Sequence, residues 1–168
     1  MIVFDASILV ELFNDKIKGD RRVRLDHLIS TITKQRSKVL IPTPALSEFL
    51  AKAAKARDAY YQRLMSSSRF KIAPFGSKAA MECALMIDAA KTNGDKRNEA
   101  KTWAKAKFDW QIAAIAKSEG ATVIYSEDGD LARIASRINM KAIKIDDLPI
   151  PDSARQGKLE LPTPADAE

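Results

Sequence analysis

The chain has almost no cysteine or histidine. Cys83 is its one cysteine, which excludes an internal disulfide and any cysteine-built zinc cluster. That shortage suits a reducing compartment. His27 is the one histidine, and it reads most simply as a surface or packing residue of its helix. Long apolar runs are also missing. Ile8-Leu9-Val10 is interrupted by Glu11, and the N-terminus carries Asp5 with no basic lead-in, so neither a signal peptide nor a membrane span is expected. The expected address is the cytoplasm. Internal repeats and low-complexity blocks are absent as well.

What remains is an ordinary globular composition. The 168 residues are 46% hydrophobic and 30% charged, enough for one domain with a single substantial core. Net charge is +6; the segment 149–168 carries −2, which leaves +8 on the body. A basic body attracts polyanions, although many solvated domains are this basic. Arg21, Arg22 and Arg24, then Lys52, Lys55 and Arg57, then Lys101, Lys105 and Lys107 form clusters that could track a nucleic-acid backbone or simply be solvated helix faces. Trp103, Trp110, Tyr60 and Tyr61 could stack bases, with core or dimer packing the simpler fate of the tryptophans.

Strand-like runs rich in β-branched residues recur at Ile2 to Phe4, Val39 to Ile41, Phe70 to Ile72, Thr122 to Tyr125 and Ala142 to Ile145. Helical patterns separate them: Ser7 to Phe13, Asp20 to Arg36, a long one opened by Thr43-Pro44 and running through Leu64, Ser77 to Lys91, Lys96 to Ser118, and Asp130 to Ile138. Asn93-Gly94-Asp95 is expected to break the chain and Gly120 to end a helix. This alternation predicts a three-layer α/β/α sandwich around a mostly parallel sheet, spanning residues 1–148. Strand order cannot be read from the pattern. Pro149, Pro151, Pro162 and Pro164 mark 149–168 as an extended or disordered tail, or an arm over a neighbouring subunit.

Four acids stand at positions where such a sheet places active groups. Asp5 and Asp128 follow strands, Glu48 lies early in the helix after Val39 to Ile41, and Asp109 shares a helical stripe with Ala113 and Ala116. Carboxylates among hydrocarbon are costly without positive charge nearby, and a hard divalent cation fits oxygen ligands best. Each also has a plain structural explanation. Asp5 could cap the next helix, and Asp128-Gly129-Asp130 has turn-and-cap chemistry. Glu48 could pair with Lys52, and Asp109 with Lys105.

In order and spacing the chain resembles the PIN-domain nucleases, particularly the VapC-type toxins of toxin–antitoxin pairs. The resemblance is carried by Ile2-Val3-Phe4-Asp5-Ala6-Ser7, by Thr43-Pro44-Ala45-Leu46-Ser47-Glu48-Phe49-Leu50, by Phe108 to Ala116, and by Tyr125-Ser126-Glu127-Asp128-Gly129-Asp130-Leu131. It implies a metal-dependent ribonuclease using Mg²⁺, with Mn²⁺ as a substitute. Asp5, Glu48, Asp109 and Asp128 match the family's acidic positions, Asp130 a frequent further acid, and Ser7 and Ser126 supporting hydroxyls. A homodimer and a cognate antitoxin are the partners it implies. Ser126 stands where threonine is common, and the region Asp20 to Arg36 and the tail are longer than in compact members.

With one histidine, a two-histidine, metal-free ribonuclease mechanism is excluded. A haloacid-dehalogenase-type phosphatase would want an aspartate two residues after Asp5, where Ser7 stands. A PIN-fold RNA- or partner-binding module with weak or no catalysis, and a DNA-processing nuclease, stay open as alternatives.

Overall fold

The computed structural model describes residues 1–92 and 103–155. Five strands, β1 (Ile2–Phe4), β2 (Val39–Pro42), β3 (Phe70–Ala73), β4 (Val123–Tyr125) and β5 (Lys141–Ile143), form one sheet in the order β3-β2-β1-β4-β5. Every pairing is parallel. The helices are α1 (Ala6–Leu12), α2 (Gly19–Lys34), α3 (Thr43–Lys52), α4 (Arg57–Met65), α5 (Ser77–Thr92), α6 (Trp103–Ser118) and α7 (Gly129–Arg137), with a last turn, α8 (Asp152–Arg155). Right-handed crossovers put the helices after β1 and β2 on one face and those after β3 and β4 on the other. The expected α/β/α sandwich is what forms.

Parallel strands are covered on both faces and so carry continuous apolar runs. β2 is buried along its whole length, and Val3, Phe4 and Ile124 are fully buried. In α6, Ile112 to Ala116 are buried on every side of the helix. Its alanines let neighbours approach closely, and α6 packs on α5, α7 and α3. Gly120 ends this helix at φ +70°, and Ala121 N–H returns to the Ala116 carbonyl at 2.9 Å, as a glycine stop requires.

One helix expected from the sequence is two. The run from Thr43 to Leu64 breaks after Lys52, passes through a 3₁₀ turn at Ala54–Ala56, and restarts as α4. Ala54 sits at φ +46°, a region that disfavours residues with a Cβ. Aromatic packing explains the break. In a continuous helix, eleven residues would separate Phe49 from Tyr60 by roughly 16 Å. Here their rings stack 5.7 Å apart, and Tyr60 also meets Phe13 at 4.8 Å. Tyr60 Oη donates to the Phe13 carbonyl, while Arg57 Nε takes up the Leu50 carbonyl freed by the break. Pro42, not Thr43, is the residue that caps α3, a shift of one position. The expected break at Asn93-Gly94-Asp95 and the start at Lys96 lie outside the described residues. In the segment 149–168, α8 is a short helical turn, and 156–168 also lie outside the described residues.

Candidate metal centre

The strand order decides where a site can form. From β1 the chain steps outward to β2 and β3, then returns to β4 on the other side of β1. The switch point therefore lies between β1 and β4, and a ligand crevice opens beyond their carboxyl ends. The register pairs Phe4 with Tyr125, so Asp5 and Ser126 come next on the two strands, side by side.

Asp5 is held there by hydroxyls. Ser126 Oγ donates to Asp5 Oδ2 at 2.8 Å and Ser7 Oγ donates to the same oxygen at 3.0 Å. Each hydroxyl also accepts from the loop after β4. Glu127 N–H donates to Ser7 Oγ at 3.1 Å and Asp128 N–H to Ser126 Oγ at 3.0 Å. A buried carboxylate thus fixes the backbone that carries Asp128. Burial raises the Asp5 pKa above its ordinary value; the Ser126 hydrogen bond works in the other direction and the nearby Glu48 charge adds to the rise. Asp5 occupies the cap position of α1 without making a side-chain cap bond.

Asp128 does cap its helix: its Oδ1 accepts from Asp130 N–H at 2.7 Å and from Leu131 N–H at 3.4 Å. The cap thus ties the Asp128 side chain to the backbone of Asp130. Asp109, only 6% exposed, comes to the same place from α6. One carboxylate oxygen from each of Asp109, Asp128 and Asp130 lies within 4.8 Å of the others. Octahedral Mg²⁺, with oxygens at about 2.1 Å, spaces its ligands about 3 to 4 Å apart. The donor set and its dimensions fit a hard cation after small side-chain rotations.

Three of the sequence-derived acids therefore converge, and two stand outside that group. Asp5 lies next to it through Ser126. Glu48 is half exposed and ion-paired with Lys52 at 2.6 Å, the surface pairing its spacing allowed. Asp130 is paired with Arg133 one turn along α7.

Arg21, in a cluster that could track a nucleic acid or simply be a solvated helix face, is engaged by three acids. Its Nε donates to Glu11 Oε2 at 2.6 Å, its Nη1 to Asp146 at 2.8 Å, and its Nη2 reaches Glu127 at 3.2 Å as well as Glu11. Glu127 Oε1 also accepts the Ile145 N–H at 2.9 Å. This guanidinium ties α1, α2, the loop after β4 and the turn after β5 together. Glu11, Glu127 and Asp146 were not singled out from the sequence; an arginine surrounded only in space leaves no spacing signal. Arg22 pairs with Asp26, a further member of that cluster turned to a local acid. Trp110 packs against the core, as simple packing predicts.

An acidic cluster at the switch point of an all-parallel sheet defines a class of α/β domain whose candidate site is a set of carboxylate oxygens. The chain belongs to the PIN-domain family, whose model matches residues 2–137. Among solved structures it is similar to VapBC2 from Rickettsia felis bound to a promoter DNA fragment, at 18% identity and TM-score 0.60 over 86% of this chain and 98% of that one. It is also similar to VapC20 of Mycobacterium tuberculosis, a toxin that cleaves the sarcin–ricin loop, at 13% identity and TM-score 0.54 over 79% and 94%. VapBC-1 from nontypeable Haemophilus influenzae gives 12% identity and TM-score 0.57 over 87% and 99%. At these identities the likeness is one of fold. No curated protein matches the chain. Among the described residues, no helix is long and apolar enough to cross a membrane.

Proposed function

We propose that this chain is a metal-dependent endoribonuclease that hydrolyses RNA phosphodiester bonds and acts as the toxin of a toxin–antitoxin pair. The observation that carries the reading is the meeting of Asp109, Asp128 and Asp130 within 4.8 Å at the switch point of a PIN-family sheet. Those three would hold Mg²⁺, or Mn²⁺ in its place. The cation would supply an activated water and draw charge from the scissile phosphate.

The chain's own residues then have distinct tasks. Ser7 and Ser126 keep Asp5 oriented and bind the Glu127 and Asp128 backbone, so the loop is set before any ligand arrives. Asp5 supplies a fourth carboxylate beside the cluster, and Glu48 a fifth once it exchanges Lys52. No side-chain nucleophile is required. The toxin assignment draws on the VapBC and VapC neighbours, and with it comes a cognate antitoxin; a second copy of this chain is the other partner in this reading. Met81 and Leu85, exposed one turn apart on α5, offer that second copy an apolar stripe. Catalysis is assigned to residues 1–148, with 149–168 outside the catalytic unit.

The test is cleavage of mixed RNA and DNA by purified protein with Mg²⁺, Mn²⁺ or EDTA, alongside Asp5→Asn and Asp109→Asn. RNA cleavage abolished by EDTA and by both substitutions is expected. Cleavage that persists in EDTA, or of DNA alone, overturns the reading. Growth arrest on expression, relieved by a co-encoded small protein, tests the toxin role.

A further inference from the structure

We propose that Arg133 stands in for the cation at Asp130 and, when a divalent ion takes its place, turns to a phosphate of the RNA strand. This rests on the nuclease reading above and adds a substrate-binding residue to it. Arg133 and Asp130 are ion-paired across one turn of α7. Asp130 is at the same time one of the three converging carboxylates. Arg133 is thus engaged with a candidate ligand of the cation, at the edge of the cluster itself. With Glu127, Asp128, Gly129 and Asp130 it lines an open depression of about 440 Å³, and among the described residues it is the one basic side chain in that lining.

The chemistry follows from charge. Three carboxylates within 4.8 Å repel one another, and a guanidinium on one of them relieves part of that repulsion. The pair is solvated, with Arg133 48% and Asp130 26% exposed, so its bias is small, a factor of about two to five. A divalent ion at the cluster centre competes with it directly. Once Asp130 turns to the ion, Arg133 is left beside the depression without that carboxylate. Its planar fork matches two oxygens of a phosphodiester better than any other side chain does. One residue would then serve two states: counter-charge in the metal-free protein, phosphate contact in the loaded one. A simple surface pair would do neither.

Calorimetric titration of the full chain with Mn²⁺, without RNA, decides the exchange. Arg133→Gln should bind Mn²⁺ about two- to fivefold more tightly than wild type, because the competitor for Asp130 is gone. Arg133→Lys should fall between. Arg137→Gln, which removes the same charge from the next turn of α7, should change the affinity less. Unchanged or weaker Mn²⁺ binding in Arg133→Gln, or equal tightening in Arg137→Gln, overturns the exchange. With RNA and saturating Mg²⁺, Arg133→Gln should raise KM about tenfold with kcat within about twofold, the size of one lost charge-assisted contact. An unchanged KM overturns the phosphate contact. Wild-type protein that cleaves no RNA defeats the nuclease reading instead, and the Mn²⁺ titration still decides the exchange by itself.

Discussion

Removing the Ser126 hydroxyl should cost the protein both stability and its site. Ser126 is 1% exposed and its oxygen makes two bonds, to the Asp5 carboxylate at 2.8 Å and from the Asp128 N–H at 3.0 Å. Ser126→Ala takes a charge-assisted donor from a buried acid, a loss of about 1.5 to 3 kcal/mol, and strands a backbone N–H, about 1 kcal/mol more. The sum is about 3 kcal/mol, which for a chain of this size lowers Tm by roughly 6 to 12 °C. A double-mutant cycle with Asp5→Asn isolates the pair. With the acceptor neutral, the same serine-to-alanine change should cost about 1 to 2 kcal/mol less. Urea titrations of the four proteins in EDTA measure this, and RNA cleavage measures the accompanying loss of activity. A Ser126→Ala protein with Tm within about 2 °C of wild type, or strict additivity with Asp5→Asn, would refute the claim that this hydroxyl holds the buried carboxylate in place.

Asp5→Asn should stabilise the metal-free protein at neutral pH while abolishing cleavage. Burial raises the folded-state pKa of Asp5, so its ionised form opposes folding, and that cost fades as pH falls through the raised value toward 3.8. The gain in Tm should therefore shrink steadily in acid; a gain that grows there would contradict the burial argument. Arg21→Ala, which releases Glu11, Glu127 and Asp146, should cost about 2 to 3 kcal/mol by urea unfolding, less in high salt. Ala54→Gly should stabilise the break between α3 and α4 by roughly 0.5 to 1 kcal/mol, because glycine accepts φ +46° freely. A loss in Tm there would mean that Ala54 does not hold that angle in solution.

Much of the architecture was legible from local pattern. β-branched runs, helical spacing and Gly120 set all five strands and most helices to within a residue or two, because those signals act over a few positions. Asp5 and Asp128 were readable as candidates because strand ends in a parallel sheet are where ligands sit. The partners of Arg21 were not legible for the opposite reason: Glu127 and Asp146 are more than a hundred residues away in the chain, and only folding surrounds the guanidinium with them. The long helix from Thr43 failed likewise, since the ring contacts that favour bending it come from Phe13, outside the segment.

The sequence by itself determined the elements, the class of fold and the inventory of carboxylates, since hydrophobic period and turn chemistry are local properties. Only the tertiary structure decided which strands stand beside β1. That order makes Asp5 and Ser126 neighbours and brings Asp109 to the Asp128–Asp130 turn. Glu48, at the same sheet edge, faces Lys52 on its own helix instead. Chain distance carries no information about such meetings; the sheet's crossover does.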